Sequence, residues 1–319
     1  MNKMIRQMLP FGTLILIVCI LSAIKPDSFL TLDNFLNVLR RSSVNGIIAV
    51  GMTFIIISAG IDLSVGSVAA FCGMAGAWTM LKVSGGDLTA GSMVIGTLAG
   101  MFAGLVCGFF NGTLITSLKL QPFIVTLGSM SIFRGISYVM HDGQPFNVPQ
   151  YKYLGEGVIA GVPVSIIIFA LVTGVAAFIM KYTRLGRYTY AMGSNQQAAF
   201  HAGINVKKNL VAIYSLTGLL VGLAAMILTS RTVSAQPTAG IQLELDVIAA
   251  VVIGGASLSG GCGGITGTII GTLLISFLRN GCTLLGISTN VQLIVIGIII
   301  IAAVAIDQVA RSKAADSTN

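Results

Sequence analysis

The sequence has few charged residues, only two histidines and a single tryptophan, and its shortage of charge excludes an ordinary soluble protein. Only 9% of the 319 residues are charged, whereas 55% are hydrophobic, and the mean hydropathy is +0.93. Together with long apolar runs, this composition is typical of a polytopic membrane protein. The length leaves no room for a separate globular domain, so residues 1–319 are predicted to form one transmembrane domain.

The side chains that catalysis or metal binding would need are also scarce. His141 and His201 stand far apart, no acids have metal-ligand spacing, and no G-x-S-x-G sequence occurs. The five cysteines are scattered and include no C-x-x-C pair, which favours unpaired core thiols. A Gly-Lys dipeptide, which the ATP-binding loop G-x-x-x-x-G-K-[ST] requires, never occurs. The sequence therefore predicts no enzyme activity, no metal and no cofactor in this chain.

The net charge of +8 would also suit a nucleic-acid-binding protein. The lysines and arginines, however, stand at the ends of apolar runs, where such residues anchor and orient membrane helices. We therefore expect contact with membrane lipid and not with nucleic acid.

The apolar runs predict an all-α protein with about ten transmembrane helices, because a helix needs roughly 20 apolar residues to cross a bilayer. Segment 246–259 is short, so it either crosses or turns back. The distribution of lysine and arginine between alternate loops predicts that both termini, the tail 309–319 and the loop 183–208 are cytoplasmic. The candidate spans are 8–24, 44–60, 64–81, 91–118, 122–140, 163–180, 209–230, 246–259, 264–279 and 290–306.

The loop 183–208 is a polar and basic insert in an otherwise apolar chain. It carries Arg184, Arg187, Lys207 and Lys208. Its composition suggests that it faces a partner protein rather than lipid. Because the chain has no ATP-binding loop of its own, this pattern favours a transport subunit that a separate subunit drives.

Two series of glycines recur at four-residue steps, which keeps them on one face of a helix where another helix can approach closely. We interpret them as packing surfaces and not as sites of chemistry. An acid opens an apolar segment ahead of each series, Asp62 before the first and Asp246 before the second. This repetition predicts a weak internal duplication, as transporters often show. The series are Gly96, Gly100, Gly104, Gly108 and Gly112, and Gly263, Gly267 and Gly271.

Polar residues interrupt the apolar runs at two further places. In GIDLSVGS, Asp62 and Ser64 stand at a helix start, where the acid either caps the helix or belongs to a transport pathway. In 231–246, Pro and Gly predict a bent segment that lines a cavity or is covered by protein. Its acids Glu244 and Asp246 are candidates to pair with Arg231 or with Arg134, the cation placed well inside a predicted span.

Several long stretches of the sequence resemble the membrane permeases of bacterial ABC importers for monosaccharides, especially the ribose branch. They are SVNG with GMT, AGIDLSVGSV, TRLGRYTYAMGSN, GINV, SAQPTAG and ELDVIAAVVIGGASLSGG. These stretches are spread from about residue 25 to residue 307 of the chain, and the longer ones are too long to match by chance.

The resemblance implies a channel-forming subunit in the cytoplasmic (inner) membrane of a bacterium. Two permease copies, or a close pair, would form the channel, and two cytoplasmic ATPase subunits would hydrolyse the ATP. A periplasmic or extracellular binding protein would deliver the sugar. The resemblance does not fix which sugar, or autoinducer-2, is carried. The pathway candidates are Asn45, Asp62, Ser64, Gln236, Glu244 and Asp246.

The resemblance also places the ATPase-docking surface on a short helix within the loop 183–208. Ala198 and Ala199 would present a small, flat helix face to the ATPase, and Gly203 would end the helix. Gln196 replaces an acid that is common in the family, so a salt bridge made by that acid would be absent here. The docking residues implied are Asn195, Gln196, Ala198, Ala199, Gly203 and Ile204.

A second class of function also fits the residues. A self-sufficient secondary transporter or channel would use Asp62 and Glu244 to bind protons or Na⁺, and its uptake would follow an ion gradient. An intramembrane enzyme would need a set of catalytic residues that the sequence does not supply.

Overall fold

The computed structural model describes residues 3–85 and 87–316, which form helices and four two-residue strands joined by turns and irregular segments. The side chains of residues 309–319, the predicted cytoplasmic tail, are not among those that the structure describes. The helices are α1 Lys3–Ile24, α2 Pro26–Phe29, α3 Leu32–Ile57, α4 Val65–Ser84, α5 Ala90–Ser117, α6 Pro122–Val139, α7 Tyr153–Glu156, α8 Val164–Tyr182, α9 Arg184–Ser194, α10 Gln196–His201, α11 Val206–Thr232, α12 Leu243–Ile253, α13 Ile265–Leu284 and α14 Thr289–Asp316; the strands are β1 Phe146–Asn147, β2 Val158–Ile159, β3 Val162–Pro163 and β4 Ser234–Ala235.

Six helices of the described chain are long and apolar enough to cross a membrane, namely α3, α5, α6, α8, α11 and α13. The apolar parts of α1 and α14, Phe11–Ile24 and Thr289–Ala302, are shorter. The mostly helical membrane protein predicted from the sequence is therefore confirmed. The figure of about ten spans and the internal duplication stay predictions.

The helix in the short segment 246–259 is too short to span the membrane by itself. Helix α12 has 11 residues, about 16 Å at 1.5 Å per residue, against a hydrocarbon core of about 30 Å. After Ile253 the chain turns irregularly until α13 begins at Ile265. The helix α12 thus covers about half of a crossing.

Helix α3 is the centre of the structure. From Ile47 to Ile57 each of its residues is buried, and it packs against α8, α11, α12 and α13. A helix that is apolar on all sides is stable only when other helices surround it, which explains this position.

The first glycine series is the surface on which α5 packs against α4 and α11. A Cβ atom at Gly104 would meet the backbone of Gly218 and Gly222 on α11, and one at Gly96 would meet α4. The absence of side chains lets these backbones touch, as the sequence predicted. The second series lies differently: Gly267 and Gly271 on α13 pack against α12, whereas Gly263 precedes α13.

Two ends of the bundle can be distinguished. At the "α10 end", the amide of Gly261 donates to Ile57 O (2.9 Å) and the Tyr190 hydroxyl donates to Gly263 O (2.9 Å), so the loops beside α9 and α10 meet there. At the opposite "strand end", β1 pairs with β4 in antiparallel fashion, Phe146 opposite Ala235. The candidate functional residues divide between these two ends and the interior.

We expect Gly104→Ala to destabilise the protein, because the added methyl group would meet backbone atoms that cannot move aside. Overpacking of this kind costs about 1–3 kcal/mol in unfolding free energy. The matched control is Gly128→Ala, since nothing lies within 4 Å of a Cβ atom at Gly128. Thermal unfolding of the detergent-purified protein measures both, and equal melting temperatures for the two variants would contradict the packing assignment.

Candidate functional site

Helix α10 is a short, well-capped element at the α10 end. The Asn195 side chain accepts a hydrogen bond from the amide of Ala198 (2.9 Å) and so caps the start of the helix. At its other end Gly203 adopts a left-handed φ of 82°, and the amide of Ile204 donates to Ala199 O (3.1 Å). This is the Schellman arrangement, so Gly203 ends the helix as the sequence predicted.

The outward face of α10 differs from the predicted alanine pair. Ala198 is exposed, but Ala199 is only 4% exposed and packs into the core. Successive helical residues are about 100° apart, so two neighbouring alanines cannot both form the centre of one face. The exposed surface instead includes Gln196 and Phe200, whose side chain is 66% exposed. One feature of the sequence could have indicated Phe200 as a contact residue: it is a large apolar residue in a polar loop.

Helix α10 lies beside a cavity of about 860 Å³ at the α10 end. Its walls come from the turn 58–60, the connection between α5 and α6 with Lys119, and the residues after α10 with Lys207. On the neighbouring helix α9, burial raises the pKa of the Tyr190 hydroxyl. A Cβ atom at Gly193 would meet the carbonyl of Ile57, so α9 rests on the end of α3. The loop 183–208 is therefore in direct contact with the central helix α3 through α9.

Asp62 belongs to a buried hydrogen-bond network. Its Oδ1 accepts from the amide (2.8 Å) and the hydroxyl (2.6 Å) of Ser64, just before α4 begins. The Asn111 amide donates to the Ser64 hydroxyl (2.9 Å), and the Ser129 hydroxyl donates to Asn111 Oδ1 (2.6 Å). All four residues are buried. The geometry favours a structural role for Asp62 and Ser64, in the turn that leads into α4, over a place in an open pathway, but neither side chain makes a capping hydrogen bond to the helix.

Arg134 holds the bent segment before α12. Its Nη1 donates to the carbonyl oxygens of Pro237 (2.6 Å) and Ala239 (2.7 Å). The candidate partners named from the sequence were the acids Glu244 and Asp246, whereas the hydrogen-bond partners of Arg134 are carbonyls. The bent segment thus lies against α6 inside the bundle, with its free carbonyls satisfied by protein.

The start of α12 meets the start of α4. Gly240 packs directly against Gly66, and the Glu244 carboxylate lies beside the same glycine. The non-helical segments before α4 and before α12 therefore cross each other at these glycines. Asp246, two residues after Glu244, pairs with Arg279 on α13 (Nη2–Oδ1 2.7 Å), and not with Arg134 or Arg231.

A second cavity of about 860 Å³ opens at the strand end, and many of the side chains that line it are polar. It includes Asn45 and Asp246 among the predicted pathway residues, together with Arg231. Sequence reasoning missed the other members, because α3 and α13 bring them together from distant parts of the chain. The charged and amide side chains that line it are Asn34, Asn37, Arg40, Arg41, Asn45, Glu156, Arg231, Gln242, Asp246, Arg279 and Asn280.

The remaining pathway candidates lie apart from this cavity. Gln236 is exposed and lines a smaller cavity of about 180 Å³ beside Gly240. Glu244 is half-buried at the crossing of the two turns, and Asp62 and Ser64 lie in the buried network. Among the residues that the structure describes, no group of three or more His, Cys, Asp or Glu could hold a metal ion.

Comparison with known proteins identifies a family for most of the chain. Residues 34–304 match the model of the family described as branched-chain amino acid transport system / permease component. The ribose import permease RbsC of Haemophilus influenzae is 44% identical over 310 residues, covering 95% of this chain and 93% of the relative. RbsC of Bacillus subtilis is 46% identical over 303 residues, covering 94% and 92%.

A further relative names a different sugar. The D-allose transport system permease AlsC of Escherichia coli is 39% identical over 301 residues, covering 93% of this chain and 90% of the relative. No solved structure matches the chain. The resemblance to sugar-importer permeases that the sequence motifs indicated is confirmed by these relatives.

We expect Asp62→Asn to leave the protein nearly as stable as the wild type, because asparagine keeps an oxygen that accepts from Ser64. Asp62→Leu leaves the buried amide and hydroxyl of Ser64 without an acceptor, which costs about 1–3 kcal/mol of unfolding free energy. Thermal unfolding in detergent compares the two, with Asp33→Leu as an exposed-acid control. If Asp62→Asn lowered the melting temperature as much as Asp62→Leu, the charge of Asp62, and not the oxygen that accepts from Ser64, would account for its contribution to stability.

Proposed function

The chain belongs to the family of branched-chain amino acid transport system permease components, and we propose that it is the membrane subunit of an ATP-driven importer for a monosaccharide. The carried sugar is ribose or a similar pentose or hexose. The observation that carries this proposal is the similarity to ribose and allose permeases along nearly the whole chain. The chain is a transport subunit, and ATP is hydrolysed in a separate subunit.

The ATPase partner engages α10 in this proposal. The helix is capped at both ends, directly follows α9, which rests on the end of the central helix α3, and exposes Gln196 and Phe200 four residues apart on one face. An exposed aromatic side chain suits a partner groove, since aromatic anchors contribute much of the energy at protein interfaces. Gln196 offers an amide hydrogen bond here in place of the family's common acid.

The α10 end faces the cytoplasm in this proposal, and both termini lie on the same side. The basic loop 183–208 supports this orientation, because lysine and arginine are enriched in cytoplasmic loops. The chain then crosses the bilayer about ten times, with the bent segment 236–242 and α12 together making one crossing from the strand end. The sugar-binding protein would dock at the strand end.

A second copy of this chain, or a close paralogue, completes the pathway. The strand-end cavity opens at the surface of the chain and is lined by charged and amide groups. Such groups are costly in contact with lipid. A second subunit placed against this opening would cover these groups and leave a polar route between the two copies.

Reconstitution into proteoliposomes tests the proposed function directly. The chain is combined with its co-purified ATPase and binding protein, and uptake of radiolabelled D-ribose, D-allose and D-fructose is measured. We expect uptake of one of these sugars that requires ATP and the binding protein. Uptake by the chain alone, following a proton or Na⁺ gradient, would contradict the proposal and support a self-sufficient transporter.

The docking surface makes a separate prediction. Phe200→Ser removes the exposed aromatic anchor, and loss of such an anchor typically costs at least about 2 kcal/mol of binding free energy, roughly 30-fold in affinity. Ala198→Trp should act similarly by obstructing the partner groove. Co-purification with the ATPase measures both.

The matched control for the docking test is Ala90→Trp, an exposed alanine at the other end of the bundle. This variant should retain the ATPase. Retention of the ATPase by Phe200→Ser and Ala198→Trp would show that the ATPase binds elsewhere on the α10 end.

A further inference from the structure

We propose that the strand-end cavity is itself a weak binding site for the sugar in transit, with Arg231 and Asn45 as its principal contacts. The inference rests on the proposed function, since it names the residues that would hold the solute on its way through this chain.

The packing of α3 against α11 and α13 brings the polar residues of the cavity together at different depths. The Thr217 hydroxyl of α11 donates to Gly51 O on α3 (3.0 Å), which fixes the register of these two helices. Arg231 stands 14 residues beyond Thr217, and Asn45 stands six residues before Gly51 on the oppositely directed α3. At 1.5 Å per residue they lie about 21 Å and about 9 Å towards the strand end. The cavity therefore extends from the surface into the bundle between them.

Arg231 lacks a partner within the described part of the chain. Its side chain makes no hydrogen bond or ion pair there, and its Nη1 is shielded from solvent. The positive charge of Arg41 lies close enough to repel it. Buried polar groups are almost always hydrogen-bonded, so a half-buried guanidinium of this kind is suited to an acceptor that arrives from outside. Asn45, which is also half-buried, likewise makes no side-chain hydrogen bond to a described residue.

The lining offers acceptors as well as donors, and this mixture selects a neutral polyol. Asp246 uses Oδ1 for Arg279, while Oδ2 of the same carboxylate has no hydrogen-bond partner among the described residues. Sugar hydroxyls donate and accept, so they can bridge a guanidinium and a carboxylate oxygen. An anion would pair with the arginines of the lining, but the Asp246 and Glu156 carboxylates would repel it. A volume of about 860 Å³ is ample for one monosaccharide.

The same lining predicts a low affinity. None of the residues that line this cavity is aromatic, so a sugar ring finds no flat apolar surface on which to stack. Conduction needs binding that is favourable enough for entry and weak enough for release. We therefore expect dissociation constants for the sugar of about 1 mM or weaker.

Direct binding to the permease–ATPase complex tests the site without the binding protein. The complex is placed in lipid nanodiscs, and saturation-transfer NMR is recorded with D-ribose and, separately, with the anion D-ribonate. We expect ribose to bind and Arg231→Gln to weaken binding at least tenfold, with Arg231→Lys intermediate because it keeps the charge but loses the planar fork. Asn45→Ala should also weaken it.

The control is Lys25→Gln, a cation of the strand-end loops that does not line the cavity and should bind ribose like the wild type. Normal ribose binding by both Arg231→Gln and Asn45→Ala, or tighter binding of ribonate than of ribose, would overturn the proposal. ATP-driven ribose uptake by a wild-type assembly that shows no ribose binding in the nanodisc would overturn the site alone. Absence of ATP-driven uptake of D-ribose, D-allose and D-fructose alike would instead contradict the proposed function.

Discussion

The architecture depends on one constraint, that backbone groups outside a helix must find protein partners when they lie within a membrane. The chain interrupts its helices twice inside the bundle, before α4 and before α12. Asp62 satisfies the first interruption by accepting from the amide and hydroxyl of Ser64. Arg134 satisfies the second by donating to the carbonyls of Pro237 and Ala239. These two side chains therefore satisfy backbone groups at both interruptions.

Close helix packing supplies the walls around these interruptions. Because α5 carries no side chain at Gly104, its backbone touches that of α11 at Gly218. The interrupted segments meet in the same way, where Gly240 rests on Gly66. Association of helices within a bilayer relies on such contacts and on hydrogen bonds, since lipid is as apolar as the side chains. The small residues and the buried polar network thus act together to hold the helix breaks in place.

Local patterns in the sequence predicted much of this structure, whereas contacts between distant segments escaped them. The glycine face of α5, the bent segment after Arg231 and the glycine that ends α10 all follow from residue spacing or turn chemistry. The pairing of Asp246 with Arg279 does not, because the two residues are 33 positions apart and meet only through the α12–α13 hairpin. For the same reason the burial of Ala199 was missed: its neighbours come from the protein core and not from its own loop.

The two candidate surfaces lie at opposite ends of one helix. The carbonyl of Ile57, at one end of α3, lies against Gly193 beside α10 and accepts from the amide of Gly261. Toward the other end of α3, Arg41 and Asn45 line the polar cavity. Between them α3 is buried on all sides, and close-packed interiors transmit displacements instead of absorbing them. A force applied at α10 would therefore move the cavity wall as a rigid element. In the proposed importer, an ATPase bound at the α10 end would act through α3 on a sugar about 20 Å away without any contact between them.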